Sequence, residues 1–506
     1  MVADAHLTFH KTKKYINFHE TENVPIAGVW RIKNSHNTRP ALSRMRETAT
    51  RIQSLIGHAV QKKMRLRPIG SKWSFSEIPS VKDGWILQTD RLNYKFNVTP
   101  TNLSNDFLGN GHELILAQSG CLVSEINMAL ETGSRQQALR TSGASNGQTL
   151  GGAISANTHG SALGVGAMPS QVAGFQLLTA TQNLWIESPR NPTMNAKFAK
   201  KLGAELVRDE QLFQTALIGL GAVGIVHSYM MRSTGRYLLD SYRRQMRMSE
   251  VRKALNTLDF TGVHFPITDQ NPYFFQAVIN PGIGRDDVYV TTRFKVNCPN
   301  NYPVDYKLKS GHGLHNDLPG IIGKLVGGNQ TIGPSLVNAL LKSQQKAKEF
   351  KGTPGETYDL TSGKNGVMGS GFCVPIALTT EVVDIVRTVV NEKFAPLIIA
   401  LRYVQRTDGY LSFTRFDPSC VLDIDGLDTP ASRDAIKRIL RRFDQAGIAY
   451  TQHWGKIHGL TKSRLQAGYG DKILRWKSGR ERLLPDSEER FVFSNDLLDD
   501  LGLTGD

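Results

Sequence analysis

From Thr141 to Ile186 the chain carries no Lys, Arg, Asp or Glu, although 21% of its residues are charged. Such a stretch is either buried or wrapped around something. It begins TSGASNGQTLGGAISANTHGSALGVGAMPSQV, where seven glycines between Gly143 and Gly166 alternate with Ser, Thr, Asn and the isolated apolar residues Leu150, Ile154, Leu163 and Val165. Glycine lets backbone N–H groups come close to a ligand, and successive N–H groups form an anion-binding hollow without any lysine. A buried diphosphate suits that hollow. A flexible Gly/Ser linker is the competing reading, but linkers are low in complexity and lack interleaved core residues.

At 506 residues with 40% hydrophobic content, two or three domains with sizeable cores are expected. The net charge of +16 would suit nucleic acid, anionic lipid or an acidic substrate. Its basic residues are dispersed, and the densest set falls on one helix. In SRDAIKRILRRFDQAG, Ile436, Ile439, Leu440 and Phe443 recur at helical spacing, with Lys437, Arg438, Arg441 and Arg442 mostly opposite them. That pattern reads as a solvated face. Cys121, Cys298, Cys373 and Cys420 have no zinc or disulfide spacing, and MVADAHLTFHKTKKY has no apolar signal core. The expectation is a reduced, cytoplasmic protein with no membrane span and no nucleic-acid partner.

Helical and extended patterns alternate in the first third. Leu42, Met45, Ala49, Ile52, Ile56 and Val60 predict an amphipathic helix, followed by the strand-like MRLRPIG and a turn at SKWSFSEI. GWILQTDRLN and HELILAQSG read as strands, LVSEINMALETG as a helix, and FQLLTATQNLWIE as a hairpin turning near Gln182 and Asn183. Beyond about residue 230, longer strands (YFFQAVIN, DVYVTTRFKV) precede a Gly-, Pro- and Asn-rich region and the helical SLVNALLKSQQKAKEF. Further strand patterns are RYVQ, YLSFTRF and CVLDIDG.

Gly219-Leu-Gly-Ala-Val-Gly224 matches GxGxxG, but a dinucleotide fingerprint follows a strand and opens a helix. Here a helical RDEQLFQTALI comes first and a strand-like IVHSYMMRS follows, so the glycines predict a tight helix-to-strand turn. His312, His315 and Asp317 offer metal-ligand types without a matching further site, and no metal is expected. Late in the chain, Gln452-His453-Trp454-Gly455-Lys456-Ile457-His458 sets two imidazoles, an indole and an ammonium together. A core Trp with solvated neighbours would produce the same run.

LRPIGSKWSFSEI, the SGASNGQTLGGAISANTHGSALGVGAMPSQV segment, GLGAVGIV and HWGK resemble, in this order, the signatures of the vanillyl-alcohol-oxidase-type (PCMH-type) FAD flavoproteins. The likeness is to the aldonolactone and alditol oxidoreductases and, more distantly, to the flavinylated cholesterol oxidases. It implies an α+β protein: a two-subdomain FAD-binding domain over 1–230, an α+β cap on an antiparallel sheet over 231–450, and a return to the FAD-binding domain over 451–506. Carried over by position, Gly70, Ser71, Lys72, Trp73 and Ser74 form the first diphosphate loop. Ser142, Gly143, Ser145, Thr149, Gly152, Ala156, Asn157, Thr158 and His159 line the second, while Ile225 and Val226 hold adenine or ribityl by backbone contacts.

Two departures from the family pattern matter. Many relatives attach the flavin through a histidine where this chain has Trp73, so resemblance plus chemistry implies non-covalent FAD. Relatives that oxidise alditols and sterols carry Glu-x-Arg on a cap strand, and here the segment reads Ala400-Leu401-Arg402. Oxidation of an alcohol needs a hydride acceptor, removal of the hydroxyl proton and a cation near the reduced flavin. Lys456 matches the family lysine for the last task, Arg402 could orient a substrate oxygen, and His453 stands beside them. Asp423 or Asp425, alternating in CVLDIDG and so sharing a strand face, could replace the lost carboxylate.

The implied activity is dehydrogenation of a CH–OH or CH–NH group on a small polar metabolite by hydride transfer to flavin N5, with O2 or another oxidant as acceptor. Loss of the family glutamate leaves oxidative cyclisation or aromatisation as an alternative. A basic nucleic-acid-binding or scaffold protein with a vestigial flavin fold is the reading from another class, and retention of both glycine loops and Lys456 stands against it.

Overall fold

Three sheets organise the chain, and each is built where the sequence alternates or runs apolar. The computed structural model describes residues 5–35, 40–282, 286–306, 349–358 and 366–505. His312, His315, Asp317 and most of SLVNALLKSQQKAKEF lie outside the described residues.

The first sheet has the order Leu7–His10, Gly28–Lys33, Trp85–Arg91, Leu66–Ile69, its last three strands parallel. The helix Ala41–Gln61 buries Met45, Ala49, Ile52, Leu55, Ile56 and Ala59, the stripe expected from its spacing. A second, six-stranded sheet runs Glu205–Arg208, Asn183–Glu187, Val172–Leu178, Ile225–Arg232, Leu114–Gln118, Lys95–Asn97. Val172–Leu178 and Asn183–Glu187 form the expected hairpin. They are buried along almost their whole length, which explains why the charge-free stretch continues to Ile186.

Helix Glu210–Leu217 runs into strand Ile225–Arg232 through the GLGAVG turn. Leu220, Gly221 and Gly224 there have positive φ values of 52°, 69° and 117°. Fully buried Arg67 fixes the turn by donating to the carbonyls of Leu220 and Gly221, and also to those of Ile78 and Phe493. The glycines therefore serve a helix-to-strand reversal, opposite in order to a dinucleotide loop.

The third sheet has eight antiparallel strands in the order Phe350–Gly352, Tyr237–Arg247, Asp287–Asn297, Phe274–Ile279, Leu397–Val404, Ser419–Leu427, Val367–Pro375, Thr451–Gln452. One face carries Phe275, Ile279, Val290, Ile399, Leu422 and their neighbours in a single apolar core. Helices Met248–Thr257, Thr379–Glu392 and Pro430–Gln445 bury their apolar sides in that core. Alternation along strands sends every second residue to the other face. That other face is polar and looks into the interior of the protein.

The segment 410–416, YLSFTRF, differs from the sequence reading, since it forms no regular strand. Leu411 and Phe413 are nevertheless fully buried. Side chains replace the ladder: the Trp454 indole donates to the Leu411 carbonyl at 2.7 Å, Thr451 Oγ1 to that of Phe413 at 2.5 Å, and Asn157 Nδ2 to Thr414 Oγ1 at 3.0 Å. The C-terminal helices, Lys462–Tyr469 through Asp496–Asp500, contribute Leu465, Trp476, Leu483 and Leu498 to the core of the first two sheets. No helix among the described residues is long and apolar enough to cross a membrane.

Candidate active site

A cavity of about 400 Å³ runs between the two glycine loops and the polar face of the eight-stranded sheet. Its base is made of close backbone approaches. A Cβ at Gly70 would collide with the Thr149 side chain, one at Gly147 with the Trp73 indole, and one at Gly143 would lie 2.8 Å from Thr158 Cγ2. Gly152 differs. A Cβ there would meet only Thr149 Oγ1, at 3.4 Å, and otherwise point into the open cavity. Ser71 Oγ accepts from the Thr149 N–H at 3.1 Å, and Thr158 Oγ1 donates to Gln148 at 2.8 Å, so the two loops and the hydroxyls between them hold each other. This backbone-lined hollow, whose second loop carries no charge, fits a diphosphate-bearing cofactor.

Gly70 through Ser74, Ser142, Gly143, Ser145, Thr149, Gly152, Ala156, Thr158, His159 and Val226 all border the cavity. Asn157 and Ile225 do not. Asn157 is fully buried with φ 60° and spends its side-chain donor on Ser412 and Thr414, while the Ile225 side chain belongs to the core. Trp73 stacks on Phe18 with ring centroids 5.0 Å apart and meets His19 edge-on at 6.0 Å. The first loop is tied to HWGK because Phe75 N–H donates to the Gly455 carbonyl at 2.9 Å and Ser76 Oγ to that of Trp454 at 2.6 Å.

On the cap face, register brings the ionisable groups together. Asp423 lies directly opposite Ala400, and Asp425 opposite Ile398. A carboxylate therefore stands across from position 400 on the neighbouring strand, within the roughly 5 Å that separates cross-strand Cβ pairs. Asp423 is fully buried and gathers three cationic or imidazole groups: Lys456 Nζ at 2.7 Å, Arg402 Nη1 at 3.1 Å and His159 Nε2 at 3.7 Å. Lys456 also donates to Asp425 at 3.1 Å. Gly369 and Gly371 leave room for this cluster, since an added Cβ would stand 2.6 Å from Asp425 Oδ1 at the first and 3.0 Å from His453 Cβ at the second.

The two carboxyls are driven apart. Burial favours protonation of Asp423, but Lys456, Arg402 and His159 outweigh it and hold that carboxyl well below the usual range. For Asp425, burial and the charge of Asp423 outweigh Lys456 and push its pKa up. Asp425 borders the cavity and is 20% exposed, whereas Asp423 sits behind it with its Oδ2 ion-paired to Arg402 Nη1 at 3.1 Å. Lys456 itself is raised, since its two carboxylate partners exceed the cost of burial.

His453 lies at the cavity with its Nδ1 accepting the Gly455 N–H at 3.0 Å and its ring 4.5 Å from that of Phe413. Burial, then the nearby His159 and Lys456, keep it neutral well below the usual range. Sequence reasoning reached Lys456, Arg402, His453 and the Asp423/Asp425 pair; it missed Arg243, Arg293 and the two strand glycines. Arg293 lay in the strand-like DVYVTTRFKV, while Arg243, Gly369 and Gly371 lay in segments to which the sequence reading gave no role, and no local pattern told which face enclosed the cavity.

Residues 40–185 match the family model described as a FAD binding domain. D-arabinono-1,4-lactone oxidase of Debaryomyces hansenii is 23% identical over 220 residues, which is 42% of this chain and 35% of that protein. L-gulonolactone oxidase of Scyliorhinus torazame is 22% identical over 241 residues, 47% of this chain and 48% of that one. These alignments therefore span between about a third and a half of the relatives' length. Cholesterol oxidase from Brevibacterium sterolicum superposes with a TM-score of 0.69 over 98% of this chain and 97% of its own, at 14% identity. Cradle and fold point the same way: residues 40–185 are similar to a FAD binding domain. The aligned part of the chain is similar to aldonolactone oxidases, and the whole fold is similar to that of cholesterol oxidase.

Proposed function

We propose that this protein is an FAD-dependent oxidoreductase that dehydrogenates a CH–OH group of a small polar metabolite, with FAD held non-covalently and O2 or another oxidant as acceptor. One observation carries the reading: a single cavity joins the glycine-rich cradle to a cap face where Arg402, Asp425, His453 and Lys456 converge. Bound FAD would supply the hydride acceptor at N5. The cradle residues from Gly70 to Ser74 and from Ser142 to His159 would hold its diphosphate.

This chain's residues then divide the proton and charge work. Arg402, anchored by Asp423 at 3.1 Å, points a fixed cation at the substrate oxygen. Asp425, raised in pKa and open to the cavity, accepts the hydroxyl proton, and Lys456 donating to it at 3.1 Å stabilises the state it must occupy to do so. Neutral His453 offers a hydrogen-bonding nitrogen without adding charge. Trp73 supports non-covalent binding, because an indole carbon framework provides packing and no nucleophile.

The visible spectrum of the purified protein tests the reading. Bands near the flavin maxima, released into the supernatant on acid precipitation, are expected; a colourless protein that takes up no added FAD would overturn it.

A further inference from the structure

Arg293 is a buried charge that the chemistry above does not use. It is 3% exposed, borders the cavity, and its Nε and Nη1 have no hydrogen-bond partner among the described residues. No carboxylate among the described residues forms an ion pair with it. Its guanidinium instead lies 3.9 Å from the Phe274 ring centroid and 5.2 Å from that of Tyr358, so two aromatic faces fix its position. An isolated buried guanidinium is costly, and native structures keep one where a partner arrives.

Its neighbours share the bias. Arg293 pairs across the sheet with Phe274, and two residues along the same strand face Gln276 stands opposite Arg402. Arg243, whose Nε donates to Thr291 Oγ1 at 3.2 Å, is on the same face and also borders the cavity. Among the described residues, Arg293, Arg402 and Lys456 therefore face two carboxylates, Asp423 and Asp425, and both of these are engaged by Arg402 or Lys456. A positive surplus remains at the Arg293 end. Burial lowers the Arg243 pKa to about 10, and Arg293 adds to that effect.

Resting on the flavoenzyme reading above, we propose that the substrate is an anion whose oxyanion group, carboxylate or phosphate, is held by Arg293 with Arg243 on the cap face, its reacting carbon reaching toward Arg402. A planar guanidinium presents parallel donors that match either group. Neutral lactones, polyols and sterols would leave this guanidinium unpaired.

The test uses holoprotein at constant ionic strength and compares D-gluconate, sorbitol 6-phosphate and uncharged sorbitol, followed by flavin difference spectra and by thermal stabilisation. At least one anion should bind saturably and at least tenfold more tightly than sorbitol, with the carboxylate and phosphate arms distinguishing the two sources. Arg293→Gln should weaken that anion at least tenfold while flavin content stays unchanged, and Arg293→Lys, which keeps charge but loses the fork, should fall between. Equal response to sorbitol and both anions, no saturable response to either anion, or wild-type anion binding by a folded Arg293→Gln protein would overturn the proposal. Because thermal stabilisation needs no flavin, an anion response in protein lacking flavin bands would sink the flavoenzyme reading and leave the oxyanion site standing.

Discussion

Gly152→Val separates a ligand-binding role from a folding role at one atom position. Gly152 lies within helix Leu150–Ser155, and its added Cβ would meet nothing but Thr149 Oγ1 at 3.4 Å. Protein stability should change little: replacing a helical glycine gains up to about 1 kcal/mol, and β-branching returns about half of that. The cavity side is different, since the new methyls occupy space assigned to the cofactor. Overfilling a packed site costs about 1–3 kcal/mol, which converts to roughly 5- to 150-fold weaker FAD binding. The assay is fluorescence titration of apoprotein with FAD, alongside thermal unfolding of the same apoprotein. Gly160→Val is the contrast, because its Cβ would collide with Thr141 Oγ1 and approach the Ser142 carbonyl to 2.6 Å, so the fold itself should lose stability. Wild-type FAD affinity in a folded Gly152→Val protein would refute the cradle.

Arg402→Ala should keep the flavin spectrum but slow flavin reduction by substrate about 100-fold in anaerobic single-turnover mixing, the scale of removing one charge-stabilising donor. Asp425→Asn should slow the same step by at least about 100-fold. In the parent protein that rate should fall as pH drops through the Asp425 pKa, which lies above the ordinary aspartate value of 3.8, and the acidic limb should vanish in the variant. His227, buried among Thr48, Gln118 and Gln176, has a pKa lowered from 6.5 to about 3 by burial, so its neutral form stabilises the fold above 6.5 and that contribution is lost as pH falls toward 3. Melting curves across that window should be flatter for His227→Gln. Acid or heat denaturation should release all yellow colour and leave an unmodified apoprotein mass; a mass increment of one FAD would show attachment by a residue other than Trp73.

Local pattern alone made much of this protein legible. The Ala41–Gln61 helix, the hairpin ending at Glu187 and the reversed order around Gly219–Gly224 all follow from spacing and from glycine's backbone freedom, which are properties of neighbours in the chain. The charge-free stretch announced a hollow because excluding every Lys, Arg, Asp and Glu has few other physical causes. Alternation in CVLDIDG put Asp423 and Asp425 on one face.

Tertiary structure decided what those residues do. Asp423 and Asp425 are two residues apart and share a face, yet one is sealed beneath Arg402, Lys456 and His159 while the other opens on the cavity, a difference set by strands distant in sequence. Ala400 and Asp423 are opposite one another only through cross-strand register. Segment 410–416 looked like a strand because its apolar residues alternate, but its carbonyls bond to the side chains of Thr451 and Trp454 instead of a ladder. Arg293 gave no local sign at all. A charge is ordinary in an exposed strand and becomes informative only when the fold buries it against two aromatic rings with no counterion among the described residues, since desolvation is a property of the assembled surroundings and not of the chain.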